Sequence, residues 1–210
     1  MSKTTPHVIK YDTAKPDNLG FATVETNGQK FVRIGYTDGG CPGVFATTAP
    51  AMKLVKVTEK DEVVTATFNI GSVSFAAAMQ RVIDERIKEF IIKNNKKLQT
   101  KSKYYTPFLF VDKQNGKCIK LDVTSSTIYN GKGELDTEIK LSNSIGKFFR
   151  AYFVINGITR ADPGYKVSAV APQLKLVDEE YVDSRPDAEC GYVTAAESRQ
   201  KSQAVLDNDE

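Results

Sequence analysis

Val63–Leu98 reads VVTATFNIGSVSFAAAMQRVIDERIKEFIIKNNKKL, and the spacing of its apolar residues changes once along the way. Val63 to Ile70 is a β-branched run suited to a pleated strand. From Ser74 to about Leu98 the residues Phe75, Met79, Val82, Ile83, Ile87, Phe90 and Ile91 recur at steps of three and four, the spacing of one buried helical face. Neither Pro nor Gly interrupts the run. Ser72 or Ser74 can cap its start, and Lys93, Lys96 and Lys97 place cations at the negative end of the helix dipole. One long helix is therefore expected.

The residues on either side read as β. Asn27-Gly28, Asn115-Gly116, Asn130-Gly131 and Asn156-Gly157 are the dipeptides best suited to a tight hairpin turn. Lys30–Tyr36, Val44–Thr48, Met52–Val57 and Val63–Ile70 are expected to be consecutive antiparallel strands, with turns at Thr37-Asp38-Gly39-Gly40 and Lys60-Asp61. After the helix, Tyr105–Val111 and Lys117–Val123 flank a hairpin loop, and Phe148–Ile155 and Lys166–Val177 flank a connection at Asn156–Gly164. Thr124–Gly146 reads as a long loop with one short strand at Glu138–Leu141. The order strand, strand, strand, helix, strand, strand is that of an OB barrel. The expected fold is mainly β: an OB-fold-like antiparallel barrel, one long amphipathic helix between the third and fourth strands, extra strands, and a disordered acidic tail. Two parts follow, a barrel over residues 1–177 and a weakly ordered tail over 178–210.

At 210 residues with 40% hydrophobic and 26% charged side chains, the chain can bury a core in one domain, which excludes a wholly disordered or fibrous body. No window approaches the ~18 uncharged apolar residues of a membrane span, and Met1–Lys10 has no apolar signal core. A soluble, intracellular protein is expected, with Cys41, Cys118 and Cys190 as reduced thiols. The net charge of +3 conceals two unlike parts. Residues 1–176 carry 26 Lys and Arg against 16 Asp and Glu, whereas residues 177–210 carry 3 basic and 10 acidic side chains. Such a field draws polyanions to the body and basic partners to the tail.

Enzyme signatures are missing from the sequence. The single histidine, His7, lies in the polar N-terminus, the cysteines have no Cys-x-x-Cys spacing, and Gly131-Lys132-Gly133 lacks the third glycine of a dinucleotide loop. Asp122 and Glu134 to Glu138 are the weak alternative of a metal nuclease. Neither catalysis, cofactor nor metal is expected. What stands out is basic and aromatic: Arg86 to Lys120 holds ten cations and two acids, and within it Lys101, Lys103, Tyr104 and Tyr105 run into a strand. A second cluster is Lys147, Phe148, Arg150 and Tyr152, where alternation sends Phe149, Ala151 and Phe153 to the core and Phe148, Arg150 and Tyr152 to the other face. Lys120, Arg160 and Lys166 add charge. Cations that follow phosphates and rings that stack bases are the means by which single-stranded nucleic acid is bound.

Phe31–Tyr36, Phe45–Lys53, the amphipathic helix, Tyr105–Phe110, Ala151–Gly157 and Tyr165–Leu176 together resemble, in their order, the single-stranded DNA-binding proteins of podovirus-type phages and large nucleocytoplasmic DNA viruses. The resemblance covers roughly residues 30 to 177. It implies an OB-fold replication, recombination and repair factor acting at a viral replication site. It further implies that Asp207, Asp209 and Glu210 form a partner-binding acidic end, reaching a polymerase or helicase, and it is compatible with a homodimer. The chain departs from the pattern in having no Trp, with Tyr152 standing on the late strand, and no aromatic residue at its terminus. The alternative function is a virion structural or assembly protein whose basic face meets an acidic partner.

Overall fold

The computed structural model describes residues 8–26, 29–38, 41–94, 105–161 and 164–177. β1 (Leu19–Thr26), β2 (Gln29–Asp38) and β3 (Cys41–Thr48) form an antiparallel meander. β4 (Met52–Lys60) and β5 (Val63–Asn69) form a hairpin, followed by the helix α1 (residues 73–94). Then come β6 (Tyr105–Thr106), β7 (Leu109–Asp112), β8 (Gly116–Asp122) and β9 (Thr127–Tyr129), and a long terminal hairpin of β10 (Phe148–Ala161) and β11 (Gly164–Val177).

Five strands close on themselves. β4 pairs with β5, β5 with β8, β8 with β11, β11 with β10 and β10 with β4, all antiparallel except β8 with β11. Counted along the chain, the ring runs first, second, third, fifth, fourth and back to first, the connectivity of an OB barrel. The molecule is thus mainly β, an OB-like barrel with extra strands and one 22-residue helix. The helix differs from expectation in its place: α1 joins the second ring strand to the third. The meander β1–β3 lies outside the ring, and the number of strands ahead of a helix does not reveal which of them close the barrel. The acidic tail lies outside the described residues.

Alternation along the ring fills the interior. Leu54, Ala66, Phe68, Ile119, Leu121, Phe149, Ala151, Phe153, Ala171 and Leu174 have no solvent exposure. Each large side chain so buried contributes about 1.5–3 kcal/mol. Phe68 meets Phe149 edge to face at 6.4 Å, and Phe75 of α1 meets Phe153 at 6.3 Å, so the helix closes the core against β10. Ser72 caps α1, its hydroxyl accepting from the Phe75 N–H at 3.2 Å. Farther along, Phe90 stacks on Phe21 of β1 at 4.4 Å and ties the helix to the meander. Gln80–Glu85 forms a π-helical turn in which the consecutive residues Val82, Ile83 and Asp84 are all buried.

Three local expectations give way. β1 was not anticipated, yet it pairs along its whole length with β2, from Leu19↔Tyr36 to Thr26↔Gln29. The short strand in the loop after β8 is β9 rather than Glu138–Leu141, because Asp136 Oδ1 accepts from the N–H groups of Glu138 and Ile139 and holds them in a turn. Asn156-Gly157 is no hairpin but a bulged point inside β10. One edge of β10 belongs to β11, while the other meets β4 at Phe148, β3 from Tyr152 to Ile155 and β2 at Gly157 and Ile158. At that last crossing a Cβ on residue 157 would overlap the Val32 carbonyl oxygen, so glycine serves close approach, not a turn. Gly157→Ala should cost at least about 2 kcal/mol. Urea unfolding measures it, and an unchanged midpoint would show that β2 does not press on β10 there.

Candidate functional site

The expected alternation on β10 is observed: Phe149, Ala151 and Phe153 are fully buried, and Phe148, Arg150 and Tyr152 are half-buried on the outer face. The register then builds rows across the neighbouring strands. Tyr129 of β9 lies beside Lys175 of β11, which lies beside Arg150. The next row is Thr127, Gln173, Tyr152 and Thr48, and the row on the other side is Val177, Phe148 and Lys53. Lys147 stands exposed just ahead of β10, its backbone fixed by the Ser144 carbonyl at 3.1 Å and the Leu54 N–H at 2.9 Å. No acid occupies any of these positions, and among the described residues none of Lys53, Lys147, Arg150 and Lys175 forms an ion pair.

Arg150 is the centre of the face. It is flanked along its own strand by Phe148 and Tyr152 and opposed across the hairpin by another cation, Lys175. Like charges directly opposite on a sheet are destabilising. The Arg150 Nε is also enclosed without a hydrogen-bond partner, and Tyr152 is half-buried enough to push its hydroxyl pKa up. An anion seated between Arg150 and Lys175 would offset the repulsion between the two cations.

The other expected site residues fall elsewhere. Lys166 is exposed near the tip of the hairpin, opposite Thr159, whose buried Oγ1 has no partner. It is nine residues from Lys175 along β11, about 30 Å at ~3.3 Å per residue. Lys120 lies on β8 in a row with Thr67 and Lys56, and the parallel contact of Asp122 with Val170 sets it beside the half of β11 that carries Lys166. The surface about that row is mixed in charge: Asp122 lies two residues on from Lys120, and the Lys56 charge helps to hold the Asp112 carboxyl below the ordinary range, after the N–H groups of Gln114 and Asn115. Tyr105 is drawn inward. Its hydroxyl donates to Asp84 Oδ1 at 2.6 Å, and burial together with the Asp84 charge pushes its pKa far up, so it anchors the chain to α1 rather than offering a free hydroxyl. Asp84 also accepts from the N–H groups of Phe108 at 2.7 Å and Leu109 at 3.0 Å. Arg160 pairs through its backbone with Tyr165, but its side chain is outside the described ones, as are Lys101, Lys103, Tyr104, Asp207, Asp209 and Glu210.

Lys53, Tyr129 and Lys175 belong to the face and were not singled out from the sequence. Met52-Lys53-Leu54 and Leu174-Lys175-Leu176 do carry the outward signal, since Lys53 sits between two buried residues and Lys175 between the buried Leu174 and the partly buried Leu176. Among the described residues no group of three or more His, Cys, Asp or Glu could hold a metal ion, and no helix is long and apolar enough to cross a membrane. Cys118 is buried, and its thiol is pushed up by burial and by the Asp112 charge, the state of an unreactive cysteine.

No family model matches the chain, and no curated protein matches it by sequence. Solved structures that resemble it include the single-stranded DNA-binding protein from bacteriophage Enc34, at 12% identity and a TM-score of 0.46 over 76% of this chain and 90% of that one. A C-terminally truncated form gives 13% identity and 0.45 over 78% and 96%. The form in complex with single-stranded DNA gives 14% and 0.41 over 78% and 97%. The likeness is distant, and the functional reading below rests on this chain's own residues.

Asp84 lends itself to a pH test. Its carboxyl is raised above the ordinary range by burial, against the lowering effect of its hydrogen bonds. The folded state therefore binds this proton more tightly than the unfolded one, and the resulting stability is lost as pH rises through the folded-state pKa. The unfolding free energy of the wild type relative to Asp84→Asn should rise as pH falls from neutrality into the ordinary carboxylate range. Parallel pH dependences for the two proteins would dismiss the buried-charge account.

Proposed function

We propose that this chain binds single-stranded DNA with little sequence preference, on the outer face of the β10–β11 hairpin, and coats it during viral or phage DNA replication, recombination and repair without chemistry of its own. The observation that carries the reading is the pair Arg150 and Lys175, two register partners with no acid in their row and an unpartnered Arg150 Nε between two aromatic neighbours. Lys147, Arg150 and Lys175 follow phosphates, while Phe148 and Tyr152 stack bases. Lys120 and Lys166 extend the basic path toward the hairpin tip, and Arg160, Lys101, Lys103 and Tyr104 supply further contacts to the strand. The acidic segment 178–210 competes with DNA for these cations and offers Asp207, Asp209 and Glu210 to basic replication partners.

The test is a salt titration of the intact chain on single-stranded DNA, duplex DNA and RNA oligonucleotides. Wild type should favour the single strand. Arg150→Gln should weaken binding and lessen the slope of log affinity against log salt by about 0.7, the share of one phosphate contact. Phe148→Ala should lower affinity with the slope unchanged. Wild-type curves for both folded variants would remove this face from the site.

A further inference from the structure

Gly131-Lys132-Gly133 sits in the turn that follows β9, and the turn is built to stay in place. Asn130 accepts from the Gly133 N–H through its carbonyl at 2.9 Å and donates its own N–H to the Glu134 carbonyl at 2.9 Å. Its side chain accepts from the Glu134 N–H and donates to Glu134 Oε2, both at 3.0 Å. Gly133 has φ +86°, and a Cβ there would lie 3.6 Å from the Lys175 Nζ, so the turn rests against that ammonium group. Lys132 is exposed in the turn, and Tyr129, immediately before it, bridges to Leu135 on the far side.

We propose that β9 and this turn form a second wall of the single-stranded DNA site, with Tyr129 stacking one base and Lys132 and Lys175 holding the phosphates that flank it. The inference rests on the assignment of the β10 face to DNA. Tyr129, Lys175 and Arg150 lie on three adjacent strands, so the row spans two interstrand spacings, about 10 Å. The ligand is therefore a polynucleotide presenting consecutive phosphates across the strands, rather than a lone anion. Charge supports the same ligand. Glu134 is the acid nearest in sequence to Lys132, and its Oε2 is engaged by Asn130, which leaves three cations of the wall and face without a carboxylate partner among the described residues. The adjoining row of Thr127, Gln173 and Thr48 presents neutral hydroxyl and amide groups that can donate to or accept from any base edge.

The experiment measures anisotropy of a labelled oligo(dT) with the intact 210-residue chain at several salt concentrations. Tyr129→Ala should lose about tenfold in affinity, and Tyr129→Phe, which keeps the stacking ring, should bind as wild type. The double variant Lys132→Ala with Lys175→Ala should lessen the log-log salt slope by about 1.4, two phosphate contacts. Lys113→Ala, in the β7–β8 turn away from this wall, is the control for general loss of charge. If Tyr129→Ala does not fold, the slope of the lysine pair decides. Wild-type affinity and slope in these variants, while Arg150→Gln still weakens binding, would overturn the second wall alone. Wild-type behaviour of Arg150→Gln as well would overturn the DNA assignment of the β10 face itself.

Discussion

Both edges of β10 are committed, and that sharing governs everything else in the molecule. One edge carries β11 from Phe148↔Val177 to Ala161↔Gly164. The other is divided among β4, β3 and β2, so a single strand belongs at once to the barrel and to the N-terminal meander. Bulges between Tyr152 and Val154 and between Ile155 and Gly157 supply the bend that such a path needs. Because side chains alternate with a period of two, one register fixes both the core set, Phe149, Ala151 and Phe153, and the outer set, Phe148, Arg150 and Tyr152. A slip of one residue would put Arg150 inside the barrel and Phe149 in water, a heavy penalty on both counts, so the outer face is as well specified as the core.

Those features of the sequence that depend on local pattern were legible. The helix announced itself through its spacing and its Ser72 cap, and the β7–β8 hairpin through Asn115-Gly116, where Gly116 takes φ +73°. Ring closure was not legible, because it rests on the contacts β8 with β11 and β10 with β4, between strands distant in sequence whose partners no local signal names. Gly157 shows the limit clearly. Asn-Gly suggests a turn from local propensity, whereas the tertiary need was for a residue without a Cβ beside Val32. The same limit applies to the proposed face: Arg150 and Tyr152 were readable from alternation, but Lys175 and Tyr129 join them only through register.

Electrostatics distinguishes the two basic regions of the barrel. At the root of the hairpin the cations stand near rings and neutral polar groups, and Arg150 and Lys175 are half-buried, where salt screens them less than it screens the exposed Lys53 and Lys147. Around Lys120 and Lys56 the surface is shared with Asp122 and Asp112, so part of their charge is already balanced within the fold. The Asp84 cluster contributes by anchoring: three donors from Tyr105, Phe108 and Leu109 converge on one carboxylate and fix the chain as it enters β6 and β7, which stand beside β11 and β8.

OB barrels in general take oligonucleotides on the face of their second and third strands, between the loop joining the first two strands and the loop joining the last two. Here those strands are β5 and β8, and the first of those loops, with the end of β4 that leads into it, carries Glu59, Asp61 and Glu62 beside Lys60. A phosphate backbone crossing that loop would meet three carboxylates for one ammonium group, and the repulsion grows as salt is lowered, the condition in which phosphate contacts are otherwise strongest. The root of the β10–β11 hairpin has no such opposition. Its rows combine cations with Phe148, Tyr152 and Tyr129, three rings whose faces suit bases of any sequence. An acidic protein partner would satisfy the cations, but the proposed single strand of DNA would satisfy the cations and the rings together, and the ordering of this face by a shared strand would ready both for such a ligand.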